Sequence, residues 1–326
     1  MSAAPVLVTG GAGYIGAHTC KALAARGFEP VTYDNLSRGH ADAVKWGPLV
    51  VGDLLDQSRL RDVLMHYRPV AVIHFAGVAY VGESFADPAI YYRTNVVGTQ
   101  SLLDACLASG VSRVVFSSSC ATYGIPASLP IREDAPQSPI SPYGRSKLIC
   151  EHLLRDYAKA YGISFAILRY FNASGADPDG QAIERHDPET HLIPLALRTA
   201  AGEHRTLEIF GDRHPTADGT CVRDFVHVTD LSIAHVRATE YLLADGPSTA
   251  LNLGSGRGHS ILDVVREIHA VTGRQVRTTV GPARSGDPPI LVADAAAARA
   301  TLQFVPQLSD LATIVRTAAP SFGIAI

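Results

Sequence analysis

No apolar run in this 326-residue chain approaches membrane-spanning length, and its start lacks the basic region and cleavage site of a leader before it enters an apolar segment. A cytoplasmic protein without a membrane partner is expected. Cysteine is sparse: Cys20, Cys106, Cys120, Cys150 and Cys221 are odd in number, lie mostly in apolar contexts and show no Cys-x-x-Cys spacing. This excludes a disulfide framework and a zinc ribbon in favour of reduced core thiols. The 13 histidines are dispersed, with His66, His74, His227 and His235 lacking acidic or thiol partners at ligand spacing, so no metal is expected. Neither sign of charge is in excess, at 28 Lys+Arg against 31 Asp+Glu, and the basic residues form no stripe interleaved with aromatics. A nucleic-acid partner is excluded on that ground. There is no internal repeat and no low-complexity segment. What is present is 47% hydrophobic residues, enough for a large core shared by two lobes.

Val6-Leu7-Val8 reads as a short buried strand running into Thr9-Gly10-Gly11-Ala12-Gly13-Tyr14-Ile15-Gly16, with a helical stretch at 17–26. Glycines at this spacing let the chain turn off the strand at Gly10, approach a pyrophosphate at Gly13 and pack helix on sheet at Gly16. The helix N-terminus then faces the anion. A second strand at 30–33 delivers Asp34 about 20 residues on, where a carboxylate accepts from an adenosine ribose and repels a 2′-phosphate. NAD is expected over NADP, with Arg38 as the nearby counter-signal. Further apolar runs at 49–51, 71–75 and 113–117 alternate with helical patterns at 54–67 and 90–109. The alternation predicts an α/β fold, a Rossmann-like doubly wound parallel sheet. Ligands bind such sheets beyond the strands' carboxyl ends, where Asp53, Ala76-Gly77 and Ser117-Ser118-Ser119 fall, Asp53 toward the adenine.

Tyr143 and Lys147 stand four apart in Ser-Pro-Tyr-Gly-Arg-Ser-Lys, at the start of a predicted helix over 143–161. Positions i and i+4 share a helix face, so an ammonium beside a phenol favours the phenolate and makes tyrosine a base near neutral pH. With 12 Tyr and four Lys, about 0.15 such pairs arise by chance. The pair takes its meaning from the glycine turn and from Ser117-Ser118-Ser119 upstream, a set suited to redox chemistry on an alcohol. After a strand at 163–170, the texture changes at Asn172 to Gly, Pro, Asp and His over a long loop. A boundary is placed there: 1–173 as the nucleotide-binding domain, 174–326 as a smaller mixed α/β substrate lobe. Within about 223–254, segments 226–228 and 250–254 read as strands returning to the main sheet, and 295–300 reads as an alanine-rich helix.

Residues 9–16, Asp34-Asn35, His74-Phe75-Ala76-Gly77, Val81-Gly82-Glu83-Ser84, 117–124, 141–147, 168–172, 218–228 and Gly286-Asp287 occur in order at family-like separations. Together they resemble the UDP-glucose 4-epimerases, of the extended short-chain dehydrogenase/reductase family, over nearly the whole chain. The resemblance implies an NAD-dependent UDP-sugar 4-epimerase, an isomerase that oxidises C4 of a UDP-hexose transiently, inverts it and regenerates NAD. Tyr143 would be the base, Ser119 would bond O4 and relay the proton, and Lys147 would bond the nicotinamide ribose and lower the tyrosine pKa. The implied cofactor set is Gly10, Gly13, Tyr14, Ile15, Gly16, Asp34, Asn35, Asp53, Leu54, Phe75, Ala76, Gly77, Asn95, Ser117, Tyr143, Lys147 and Tyr170. The implied UDP-sugar set is Ser119, Tyr143, Asn172, His191, Leu192, Phe210, Arg223, Arg284, Asp287 and Leu291. A homodimer is implied as well, with a face of 90–109 as its candidate surface.

Ala79 departs from the family's frequent lysine near the cofactor, and His191 from a frequent asparagine beside the uridine. Leu291 stands at the residue that gates the sugar pocket, which leaves acceptance of UDP-N-acetylhexosamines open. The end, 321–326, lacks the usual tryptophan-bearing tail. Residues 78–84 and Thr122-Tyr123-Gly124 also resemble UDP-arabinose (UDP-xylose) 4-epimerases, the nearest alternative. A 4,6-dehydratase or decarboxylase would need an acid at Cys120 or Ala121, and a non-catalytic NAD-binding module would have lost the Tyr143–Lys147 pair.

Overall fold

The computed structural model describes residues 3–284 and 287–326. Its strands are β1 (Ala4–Thr9), β2 (Phe28–Asp34), β3 (Leu49–Val51), β4 (Ala71–His74), β5 (Arg113–Ser119), β6 (Ser164–Tyr170) and β7 (Asn172–Ser174). They continue with β8 (Leu207–Phe210), β9 (Val222–His227), β10 (Thr249–Leu253), β11 (Gly258–Ser260), β12 (Thr278–Gly281) and β13 (Ile290–Leu291). Seven build one sheet in the order β10-β6-β5-β4-β1-β2-β3. Strand β1 pairs in parallel on both sides, Val8 opposite Thr32 of β2 and Ile73 of β4. A sheet covered on both faces asks for continuous apolar strands, and Val6, Leu7, Val8, Val72, Ile73 and Val115 are fully buried. The chain adds β2 and β3 on one side of β1 and returns with β4 on the other. That reversal opens a crevice beyond the carboxyl ends of β1 and β4.

The chain forms two compact units, each assembled from separated stretches. The first comprises the chain up to Gly124, Gln137–Arg169 and Leu231–Leu251. One core there gathers Leu7, Val31, Leu60, Leu64, Val72 and Leu102, and another Leu103, Phe116, Cys150, Leu154 and Ile167. Three of its helices start on a capping side chain, Asp56, Asp87 or Ser141. The pattern at 54–67 becomes a helix only at Gln57–Tyr67, because Asp56 accepts from Arg59 N at 3.1 Å and serves as its cap. Helix Pro142–Tyr161 opens on Ser141, which accepts from Gly144 N at 3.1 Å, and on Pro142 in the first turn; it ends at Gly162 with φ +75°. The helix expected over 90–109 contains a wide turn: Pro88–Tyr91 and Gly98–Ser109 are α-helical, whereas Tyr92–Val97 is π-helical. The π turn carries Asn95, buried, to both backbone groups of Val78.

The second unit comprises Ile125–Pro136, Tyr170–Asp230 and the chain from Asn252 onward. Strand β9 pairs in parallel with β7 and β13 and antiparallel with β11, while β8 and β12 form a separate parallel pair. Of the segment 226–228, Val226 and His227 therefore pair with β7 in this sheet and not in the main one, and Val228 opens the helix Val228–Leu243. Segment 250–254 does fall on the main sheet, as β10. Ile193, Leu197, Phe225, Val264, Ile268 and Ile314 form the unit's core. All five cysteines are free and buried. Among the described residues no helix is long and apolar enough to cross a membrane.

Candidate active site

In the first unit the glycine turn leaves β1 at Gly10, whose N–H donates to Tyr33 O at 2.9 Å and whose φ is +73°. A Cβ there would lie 2.6 Å from Ala76 N, so only glycine permits the approach of the β4 loop. Phe75 N and Ala76 N both bond Thr9 O, which brings Gly77 to the same end of the sheet. Helix Tyr14–Ala25 starts at Gly13 with no side-chain cap, and Tyr14, Ile15 and Gly16 form its first turn. An uncapped N-terminus keeps backbone donors and the helix field available to an anion.

Asp34 ends β2, buried, accepting from Ala12 N at 3.1 Å and Leu36 N at 2.8 Å. Burial raises its pKa, and those two N–H groups offset part of the rise. Asn35 reaches Asp53, Nδ2 to Oδ2 2.8 Å, and the next residue, Leu54, is buried in the core with Leu7 and Val31. Arg38 is committed to Glu83 at 2.5 Å and lies over the Tyr80 ring, so the counter-signal to NAD is held by a carboxylate of the protein. The turn, the uncapped helix and the buried carboxylate fit a dinucleotide with a free 2′-hydroxyl. Ala79, exposed, brings no cation to this rim.

Beyond β5 the structure brings Ser119, Tyr143 and Lys147 together. Ser119 accepts from Ala121 N at 3.2 Å and stands near enough to the Tyr143 phenol to oppose the rise in its pKa. Burial pushes Tyr143 up to about 12, with Ser119 opposing. Lys147 lies one turn on, and its Nζ donates to Ser117 O at 2.9 Å. Burial pulls Lys147 down to about 8, against the raising effect of Cys150 and Glu151. The expected shared face is thus present, but the expected lowering of the phenol is not: desolvation dominates Tyr143, and the ammonium is bonded to a strand carbonyl. Asn95 Nδ2 donates to Val78 O at 3.0 Å and Ser146 Oγ at 2.9 Å. It braces the β4 loop against the Tyr143 helix.

Sequence reading missed the support behind this corner. Glu151, fully buried, accepts from Ser118 Oγ at 2.6 Å, Arg169 Nε at 2.9 Å and Gln137 Nε2 at 3.2 Å. Burial works against its charge, but the Arg169 guanidinium, with Ser118 and Gln137, holds its pKa below the usual carboxylate value. Arg169 also donates to Tyr123 at 2.8 Å. The available signal was spacing, for Glu151 continues the helix face of Tyr143 and Lys147.

In the second unit Arg223, Asp287 and Leu291 converge. Arg223 donates to Asp287 Oδ1 at 2.5 Å and to Pro288 O at 2.8 Å, and its backbone pairs with Leu291, which is buried. The Arg284 guanidinium stacks 3.7 Å over the Phe210 ring, and Asp287 N bonds Arg284 O, tying the two pairs into one rim. Asn172 donates to Asp224 O at 2.9 Å, one residue along from Arg223. Asp224 is itself buried and accepts from Ser255, Gly256 and Ala293. His191 and Leu192 begin helix Leu192–Ala201, with His191 Nδ1 against Glu189 at 2.8 Å. Tyr170, buried, closes β6. Gly286 lies outside the described residues.

Residues 6–254 match the NAD dependent epimerase/dehydratase family. The UDP-glucose 4-epimerase of Rhizobium meliloti (strain 1021) is 51% identical over 313 residues, covering 96% of this chain and 95% of that protein. The crystal structure of UDP-glucose 4-epimerase from Brucella ovis in complex with NAD superimposes with a TM-score of 0.97 at 59% identity, covering 99% of each chain. That of the UDP-glucose-4-epimerase from Stenotrophomonas maltophila, with bound NAD and formylated UDP-arabinopyranose, gives 0.95 at 37% identity and 98% coverage of each. With the dinucleotide turn, the buried Asp34 and the Ser119–Tyr143–Lys147 corner in place, the chain belongs to the NAD dependent epimerase/dehydratase family, among its UDP-glucose 4-epimerases.

Proposed function

We propose that this NAD-dependent enzyme interconverts UDP-galactose and UDP-glucose by inverting C4, in the service of galactose metabolism. The observation that carries the reading is a buried Tyr143 beside Ser119, with Lys147 one helical turn on, in the same unit as the phosphate turn and Asp34. NAD, when bound, supplies a reversible two-electron oxidation at C4 with no net redox change. The chain's residues move the proton: Tyr143 takes it from the 4-hydroxyl and returns it, while Ser119 bonds O4 and passes the proton between sugar and phenol. Inversion follows when the keto sugar presents its opposite face before reduction. A phenol at about 12 is a reluctant base at neutral pH, so positive charge brought beside it promotes the reaction. Lys147 is the chain's own cation there.

NAD is assigned to the first unit, which holds most of the 1–173 span expected to bind it, and the UDP-sugar to the second. Arg223 and Arg284 suit a diphosphate, Asp287 a ribose, and Phe210 the uracil, with Asn172, Leu192 and Leu291 completing the set. A UDP-pentose preference is not favoured, since curated relatives from 51% to 43% identity carry the UDP-glucose name. The test is NMR of products from UDP-galactose with wild type and Tyr143→Phe. The variant should lose about 10²- to 10⁴-fold in kcat while still binding NAD. Wild-type turnover by it would remove Tyr143 from the mechanism. A homodimer is part of the proposal: Val97 is 50% exposed on the helical segment expected to pair. Light scattering should give twice the 34.6 kDa chain mass. A cytoplasmic location completes the reading, and cell fractionation checks it.

A further inference from the structure

The segment preceding helix Leu192–Ala201 folds back on itself within the second unit. One ligand atom each of Glu184, His186, Glu189 and His191 lies within 4.8 Å of the others. His186 Nδ1 stands 3.1 Å from Glu184 Oε1 and 3.5 Å from Glu189 Oε2; His191 Nδ1 stands 3.3 Å from Glu184 Oε1 and 2.8 Å from Glu189 Oε1. Donors around a tetrahedral ion at zinc–nitrogen and zinc–oxygen bond lengths sit about 3.3 Å apart; the imidazole–carboxylate separations lie near that value, and the widest separation, up to 4.8 Å, would have to contract on an ion. A second observation points the same way. The Glu184 side chain is only 6% exposed, yet its Oε1 makes no hydrogen bond, although both imidazoles approach it. A buried carboxylate oxygen without a hydrogen bond is costly unless a cation meets it.

We propose that Glu184, His186, Glu189 and His191 form a binding site for a divalent transition-metal cation of the zinc class. Two imidazole nitrogens with two carboxylate oxygens favour zinc over calcium or magnesium, which prefer all-oxygen shells. Four protein ligands close the shell, so the ion is structural. It ties 184–191 to the start of helix Leu192–Ala201, whose cap residue His191 makes no side-chain cap bond. Glu189 is already oriented for the task, its Oε1 accepting from Thr190 N and His191 N at 2.8 Å each. The sequence signal, Glu-x-His-x-x-Glu-x-His within eight residues, matches none of the familiar zinc spacings, which is why dispersed histidines were expected.

The competing account is an ion-pair cluster in which Glu184 and Glu189, against the lowering effect of burial, hold His186 protonated at about 9. Tag-free full-length protein, dialysed against a chelator, separates the two when titrated with Zn²⁺ and, separately, with Co²⁺. The expected result is one equivalent of zinc per chain by plasma mass spectrometry and the visible absorption of tetrahedral cobalt. Glu184→Gln and His186→Gln should each weaken binding by more than about 100-fold, beyond what loss of an outer-shell partner costs. Absence of both stoichiometric zinc and the cobalt band overturns the site, using wild type alone. Uptake unchanged in both variants overturns it too, by placing the ion elsewhere.

Discussion

Lys147 is held where its charge is unfavourable, which gives a test independent of turnover. Its value of about 8 in the folded chain lies below the 10.5 of an unburied lysine, with burial as the first cause. The unfolded chain therefore binds more protons between those values, so the penalty is complete below about pH 8 and relieved as pH rises toward 10.5. Lys147→Met should abolish epimerisation yet stabilise the protein at pH 7 by roughly 1–3 kcal/mol, a few degrees in Tm, after subtracting the lost bond to Ser117. Thermal melts at pH 7 and pH 9.5 check this: the gap between variant and wild type should narrow at the higher pH. A constant gap would mean that Lys147 is not strained by burial. At this scale the sequence shows what is local. Tyr143, Lys147 and Asp34 are legible because helix period and motif spacing place them. The height of the Tyr143 pKa is not, because it depends on desolvation by side chains distant in sequence.

Helix Pro142–Tyr161 presents Tyr143 and Lys147 at one end of a buried polar stripe and Glu151 further along. Glu151 and Arg169 are 18 residues apart and meet only because β6 runs beside β5, so no local pattern shows the pair. A buried ion pair is marginal as a source of stability but expensive to break. Arg169→Met should cost about 3–5 kcal/mol in chemical denaturation by leaving Glu151 charged and unpaired. The double variant Glu151→Met/Arg169→Met should cost less than the sum of the two single changes. Additive losses would show that the two side chains act separately. The π turn was invisible for a related reason. An apolar stripe over 90–109 predicts a helix, and the extra residue per turn at Tyr92–Val97 follows from Asn95 finding Val78 and Ser146, contacts that only the folded chain supplies.

Across the whole molecule, the α/β class and the positions of the first five strands along the chain could be read from apolar runs and glycine punctuation. Such runs are required when both faces of a parallel sheet are covered. The second unit was less legible, since its short strands draw partners from separated stretches: Val222–His227 pairs with β7, β11 and β13 and not with the main sheet. Cofactor choice is a property of the assembled first unit, because it depends on Asp34 from β2, on Ala12 and Leu36 holding that carboxylate, and on Glu83 holding Arg38. A ligand that binds only the native state raises stability by RT ln(1 + [L]/Kd), about 2.7 kcal/mol at a hundred times Kd. NAD at that excess should therefore raise the melting temperature of cofactor-stripped protein by several degrees. NADP at the same concentration should leave it almost unmoved, because its 2′-phosphate meets the Asp34 carboxylate while Arg38 is engaged by Glu83. Scanning fluorimetry with the two cofactors decides it. Equal shifts would mean that Arg38 leaves Glu83 when a phosphate arrives, and that the carboxylate does not set the preference.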